Sequence, residues 1–450
     1  MKTKHVVPFL LVSTAGFLLF HTQIVSSVDF AARDPGVRDG VDAGGPIAGL
    51  TANQLEFFNL GKTDFEEAEE VDEGLGPTMN LDGCGGCHSQ PATGGTSPAV
   101  NPQVAFATKN GANNKLPSFI RLNGPVREAR FVKNPDGTPD GGVHALFTIA
   151  GRDDAPGCVL AQPDFARELS NRNVIFRIPT PVFGAGLIEQ IQDATILSNR
   201  SRDSGTKASL GISGRANRNG NDGTISRFGW KAQNQSLLLF SGEAYNVEMG
   251  ITNELFQGER DQTPGCQFAS VPNDVQNLDA ADNAATRLAA ALAATTAIQN
   301  FANFQRFLAP PTPSSTKPGG ATSIGRGKSL FSSVGCALCH TPALRTGNSS
   351  VEALKFQTAN LYSDLLLHDM GVGLADNISQ GGAGPREFRT APLWGLGQRI
   401  FFLHDGRTND LKEAIREHQS SGSEANAVVS NFNRLGEGQK QDLFNFLRSL

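Results

Sequence analysis

Cys84-Gly85-Gly86-Cys87-His88 and Cys336-Ala337-Leu338-Cys339-His340 are the two stretches on which the fold of this chain turns. A Cys-x-x-Cys-His run reads as a covalent attachment site for c-type haem. Two thiols add to the haem vinyl groups, and the adjacent imidazole becomes the proximal iron ligand. The competing reading is a single zinc site built from the two Cys-x-x-Cys pairs. It explains neither the histidine after each pair nor their placement in opposite halves of the chain. Two covalently bound haem c groups are therefore expected, one on Cys84, Cys87 and His88, the other on Cys336, Cys339 and His340.

Outward from these motifs, the 450 residues leave room for two or three domains. The formal charge is only −5, which argues against nucleic-acid binding, where a basic stripe is wanted. With 50 Gly and 24 Pro, the chain must be rich in loops. Against 29 Phe there are 2 Trp and 2 Tyr, so the two Trp merit individual inspection. Lys2, Lys4 and His5 precede the apolar run Val6–Phe20, and Val25-Ser26-Ser27 supplies small residues at the end. This is a signal-peptide layout, and the run is shorter than the ~20 residues of a membrane span. Residues 1–27 are thus expected to be a cleaved leader, with a periplasmic location and no stable membrane span. Cys158 and Cys266 remain after haem attachment. In an oxidising compartment their default is a disulfide, the alternative being two buried thiols.

The pattern along the chain places helices at both motifs. Thr51 and Gln54 form a capping box that opens a helix through Leu55, Phe57, Phe58 and Leu60. Residues 28–48 read as a mobile leader. The acids between Asp64 and Glu73 read as a solvated face or as a docking patch for a cationic electron donor. Residues 110–275 alternate short β-prone pieces with turns. Residues 278–308 read as helix, with Phe301, Phe304 and Phe307 at helical spacing. Residues 309–323 are a Pro, Ser, Thr and Gly-rich linker. A helix before Cys336 and an amphipathic one over residues 439–450 outline a cytochrome c domain. A faint repeat matches Arg177–Gly186 to Arg389–Gly397, and Phe228-Gly229-Trp230 with Leu237 to Phe402-Leu403-His404 with Leu411. A duplicated haem domain follows. The expected fold is mainly α and loop-rich, with two cytochrome c-like haem domains. The N-terminal one (28–308) is enlarged by an irregular insertion with short strands; the linker (309–323) leads to the C-terminal one (324–450).

The run Phe401-Phe402-Leu403-His404-Asp405-Gly406-Arg407 resembles the His-Asp-Gly block of bacterial di-haem cytochrome c peroxidases. More of the chain, through GLGPTMN, RFGWKA at 227–232, EMGITNE at 248–254, YSDLLLHDMG at 362–371 and APLWGLG at 391–397, resembles the di-haem c-type oxidoreductases called thiol-oxidoreductase-like. The resemblance implies an exported di-haem oxidoreductase, peroxidase-like, whose C-terminal haem relays electrons to an N-terminal catalytic haem. The alternatives are an oxidase or oxygenase of an organic or thiol substrate, and a non-enzymatic electron-transfer cytochrome. It further implies a small redox protein as electron donor or acceptor, a small-molecule oxidant or substrate, and a calcium ion between the domains. For the second haem, the position where peroxidases carry a methionine ligand holds His418, with His368 and Met370 next in line. His144 is a candidate distal ligand of the first haem or a buried structural histidine, and His404 is expected near a propionate. Trp230 matches a tryptophan lying between the haems. Glu248 matches the distal glutamate that moves a proton between peroxide oxygens. Phe240 departs from the family pattern, where a glutamine is usual.

Overall fold

The helix Ala52–Glu66 leads into the first attachment motif, and it starts where its capping box demands. The Gln54 amide donates to the Thr51 hydroxyl, and the Thr51 amide to the Gln54 side chain. This helix crosses the helix Ala297–Phe307 at Gly61. A Cβ there would lie 2.1 Å from the Asn300 carbonyl oxygen, so only glycine permits the approach. One turn on, Phe65 meets Phe304 with centroids 5.0 Å apart and the His88 ring at 5.8 Å. The other half of the chain repeats this construction. The helix Gly320–Ser333 crosses Glu437–Ser449 at Gly327, where a Cβ would lie 2.0 Å from the Asp442 carbonyl. One turn on, Phe331 meets Phe446 at 5.4 Å and the His340 ring at 6.4 Å.

The repeat extends beyond the helix crossings. Gly184 and Gly395 are both left-handed and each opens a short helical turn, Ala185–Glu189 and Leu396–Gln398. Phe228 bridges to Asn234 as Phe402 bridges to Thr408. Gly229 and Ala232 have positive φ, as do Leu403 and Gly406. Each of these turns delivers a capped helix, Leu237–Met249 after Ser236 and Leu411–Glu417 after Asp410. The register between copies is therefore defined: His418 stands to Leu411 as Ala244 stands to Leu237.

The computed structural model describes residues 1, 31–40, 42–144 and 151–450. The expected signal peptide lies, Met1 apart, outside them. The described chain is helix-rich and loop-rich, with one three-stranded and three two-stranded sheets. The largest sheet is antiparallel, in the order Val143–His144, Glu128–Phe131, Val174–Arg177. Cys158 and Cys266 are joined by a disulfide, with Cα atoms 4.7 Å apart. No helix among the described residues is long and apolar enough to cross a membrane.

Two expectations need correction. The helix over 278–308 is three helices, Leu278–Asp282, Arg287–Ala294 and Ala297–Phe307. Thr286 and Thr296 each cap a fresh start by accepting a backbone amide, an alternative that threonine offers against helix continuation. Nor are residues 32–40 loose. Asp34 pairs with Arg448 at 2.6 Å, the Ala32 amide donates to Glu437, and the Arg38 amide to Gly397. Arg448 is 2% exposed, so its charge needs that carboxylate.

Candidate functional site

Each attachment motif is prepared in the same way. His88 Nδ1 lies 3.0 Å from the Gly95 carbonyl, and His340 Nδ1 lies 3.1 Å from the Tyr362 carbonyl. A carbonyl at Nδ1 selects the tautomer that leaves Nε2 a lone pair for a metal. Burial holds both imidazoles down at about 4, so both are neutral, as ligands must be. Cys84, Cys87, Cys336 and Cys339 are free thiols, and burial pushes Cys84, Cys87 and Cys336 upward. Buried thiols of this kind are poor spontaneous nucleophiles.

The second motif opens on a largely apolar cavity of about 230 Å³. Cys336, Cys339 and His340 line it together with His418, Met370 and Trp230. His418 is a charge neighbour of His340, and its Nδ1 is held 2.7 Å from the Ala414 carbonyl. Two guanidiniums, Arg389 and Arg399, also line the cavity. Arg389 donates to the Gly229 carbonyl and Arg399 to the Pro392 carbonyl. Among the described residues neither has a carboxylate partner, and burial lowers both to about 10. Buried cations without counter-charge are costly. A planar macrocycle carrying two carboxylates meets the whole donor set, so this cavity fits haem.

His368 is not available in the way the sequence allowed. Its Nε2 lies 3.0 Å from Asp364 and its Nδ1 2.7 Å from Glu424. These carboxylates and the nearby Cys339 sulfur raise its proton affinity against the opposing effect of burial, and Glu424 is brought down to about 2. Cys339, Asp364 and His368 also form the one trio of close metal-type donors among the described residues. That set is not the all-oxygen cage calcium takes. Met370 and His368 both line the cavity, but both ring nitrogens of His368 are engaged by carboxylates.

At the first motif, Cys84 packs against the cluster of Phe65, Tyr245, Met249 and Phe301, and Cys87 against that of Leu81, Phe106 and Ala129. The attachment residues thus lie between two apolar walls, as a haem requires. Glu248 is a charge neighbour of both cysteines. The residue is exposed by surface area, yet protein crowds around its carboxyl. That crowding, with Glu128 nearby, pushes its carboxyl up to about 8 against the pull of Arg130. Glu128 and Arg130 pair at 2.7 Å. His144 lies on the adjoining strand, stacked on Phe131 at 3.9 Å, with Nε2 2.8 Å from Asp140.

Trp230 belongs to the wall of the second cavity. Its Nε1 donates to the Ile178 carbonyl at 3.0 Å, and its ring meets His404 edge-on at 6.4 Å. His404 stacks on Phe388 at 4.3 Å, and the Lys231 ammonium lies 4.2 Å from the centroid of the Phe388 ring. Lys231 pairs with Asp376 at 2.9 Å, and Arg177 with the same carboxylate at 2.6 Å. Burial lowers Lys231 to about 8 despite Asp376, and burial lowers His404 to about 3. Sequence reading missed Arg389, Arg399, Glu128, Arg130 and the His368 clamp. The clamp had one local signal, the spacing of four between Asp364 and His368, and the Glu128–Arg130 pair another, the spacing of two along one strand; Arg389 and Arg399 had none.

The profile described as "Di-haem oxidoreductase, putative peroxidase" matches residues 128–450. No curated protein matches the chain. Among solved structures, hydrazine synthase of Kuenenia stuttgartiensis is 17% identical with a TM-score of 0.24, over 47% of this chain and 60% of that one. The chain thus spans less than two thirds of that protein chain's length. The diheme peroxidase BthA from Burkholderia thailandensis is 14% identical with a TM-score of 0.29, over 69% of this chain and 90% of that one.

Proposed function

Because the chain belongs to the di-haem oxidoreductase family, we propose that it is an exported, peroxidase-like enzyme that divides labour between two covalently held c-type haems. When bound, the haems supply the redox chemistry, one carrying electrons and the other cleaving peroxide reductively. The observation that carries this reading is an asymmetry between equivalent positions. Where the C-terminal copy places His418, the N-terminal copy has Ala244. Glu248 lies one helical turn beyond Ala244, on the same face. A second imidazole would hold the C-terminal haem, whereas a methyl group offers the N-terminal one no such ligand and has a carboxylate one turn away.

The side chains then have distinct tasks. His88 and His340 present Nε2 because a carbonyl holds Nδ1. His418, whose Nδ1 is held by the Ala414 carbonyl, would offer its own Nε2 in the same cavity. Arg389 and Arg399 neutralise carboxylates at the cavity wall. Trp230 and His404 form the aromatic wall through which the C-terminal site couples to the rest of the molecule. Glu248 takes a proton from the inner oxygen of peroxide and returns it to the leaving oxygen. The matching helix crossings at Gly61 and Gly327 support two cytochrome c-like halves, 28–308 and 324–450, joined by 309–323. The signal-like leader supports a periplasmic location, and the acids from Asp64 to Glu73 suit a small cationic redox protein as donor.

Electronic and spin-resonance spectra of the haem-loaded protein test the reading. One low-spin haem that resists exogenous ligands, plus one that binds them and reacts with peroxide when the protein is reduced, is expected. Two six-coordinate haems inert to peroxide would leave an electron carrier. An open haem inert to peroxide but active with oxygen and an organic substrate would make it an oxygenase.

A further inference from the structure

Tyr245 is one of 2 tyrosines in the chain, and its surroundings are unlike those of Tyr362. It is 5% exposed and lies on the helix Leu237–Met249, one turn before Glu248. Its hydroxyl donates to Glu69 Oε1 at 2.6 Å. Its ring meets Phe301 edge-on at 5.0 Å; Phe301 meets Phe65 at 6.0 Å, and Phe65 meets His88 at 5.8 Å. Tyr245 and Cys84 also belong to one apolar cluster and are charge neighbours. The phenol is therefore packed close to the first attachment site, with a carboxylate on its oxygen. Tyr362, by contrast, packs between Phe331 and Phe446 and has no hydroxyl partner of this kind among the described residues.

We propose that Tyr245 and Glu69 form a proton-coupled redox site, in which Tyr245 gives one electron to the peroxide-oxidised first haem centre while its phenolic proton passes to Glu69. The O–H bond of Tyr245 breaks and an O–H bond forms on Glu69 Oε1. The haem centre is reduced by one electron, and a neutral tyrosyl radical remains. Oxidised phenols are strong acids, so a buried tyrosine is oxidised readily only where a base already holds the proton. Here burial, with Glu67, Glu73 and Asp274 nearby, brings the Glu69 carboxyl up to about 7. It can thus be ionised to accept a proton and still hold it. Glu69 is half-buried within the acidic Asp64–Glu73 run, so the proton has a path to solvent. The proposal rests on the peroxidase reading of the first haem.

The test uses haem-loaded protein grown with ring-deuterated tyrosine. Samples are frozen after rapid mixing with peroxide and read by electron spin resonance. A parallel arm replaces peroxide with a photogenerated ruthenium(III) polypyridyl oxidant. In both arms a radical signal narrowed by the deuterium is expected, lost in Tyr245→Phe and kept in Tyr362→Phe. Glu69→Gln retains a hydrogen-bond acceptor but no base, and should also lose it. Tyr245→Phe keeps the ring against Phe301, and an unchanged haem spectrum checks its fold. A signal that survives Tyr245→Phe, or one insensitive to deuterium, overturns the proposal. If peroxide leaves the haem unchanged but the ruthenium arm gives the Tyr245 signal, the peroxidase reading fails while the redox site stands. If the ruthenium arm gives none, the redox site fails.

Discussion

Glu248 offers a quantitative handle on the first site. Its carboxyl is brought up to about 8 by crowding and by Glu128, against Arg130. A general base works only when ionised, so peroxide cleavage should rise about tenfold per pH unit below 8 and level off above it. By this reasoning ~10% of the carboxyl is ionised at pH 7 and ~1% at pH 6. Glu248→Gln keeps the size and loses the base. The variant should show no such rise and should be slower than wild type by ~100-fold at pH 9. Glu128→Gln removes a neighbouring negative charge and should move the wild-type inflection to lower pH, whereas Arg130→Met should move it higher. Stopped-flow mixing of the reduced, haem-loaded protein with peroxide from about pH 5.5 to about 9.5 reads all four proteins. A Gln variant with the wild-type slope, or an inflection that ignores both neighbours, would refute the reasoning.

Three further outcomes are expected. His418→Ala should convert the C-terminal haem from low spin to a ligand-binding form, and His418→Met should keep it low-spin at a higher potential; redox titration with spin-state spectra checks both. Replacing Cys158 and Cys266, 108 residues apart in sequence, by serine should lower unfolding free energy by at most ~5 kcal/mol in the chain-entropy model, read by urea denaturation. Lys231, fully buried and lowered from 10.5 to about 8, loses its proton earlier in the native state than in the unfolded chain. The unfolded state therefore binds more protons between those values, and native stability should rise with pH across that window by on the order of 3 kcal/mol. Lys231→Met should lack this rise, as denaturation at about pH 7.5 and about pH 10 would show.

What the sequence disclosed follows from the range of the physics involved. Cys-x-x-Cys-His is local covalent chemistry, and the Thr51–Gln54 box is local hydrogen bonding, so both stand in the primary structure. The repeat was faint in residues but is plain in backbone angles. Gly229 matches Leu403, and Ala232 matches Gly406, in sign of φ though not in side chain. His418 was reached by its position after His404, and it lines the same cavity as His340. Arg389 and Arg399 were invisible as cavity-lining cations, because nothing local distinguishes them from arginines with carboxylate partners. The packing of residues 32–40 was equally hidden: a segment rich in Asp and Gly looks solvated until Arg448 supplies its counter-charge.

That last contact has a consequence for timing. Asp34 and Arg448 are 414 positions apart, and synthesis proceeds from the N-terminus at ~5–20 residues per second. Residues 32–38 therefore spend on the order of half a minute without the helix they clasp. Throughout that interval the Glu437–Ser449 helix does not yet exist, so its crossing at Gly327 cannot form. The second Cys-x-x-Cys-His motif is made before the helix that packs beside it, and the clasp made by residues 32–38 is among the last contacts the molecule can complete.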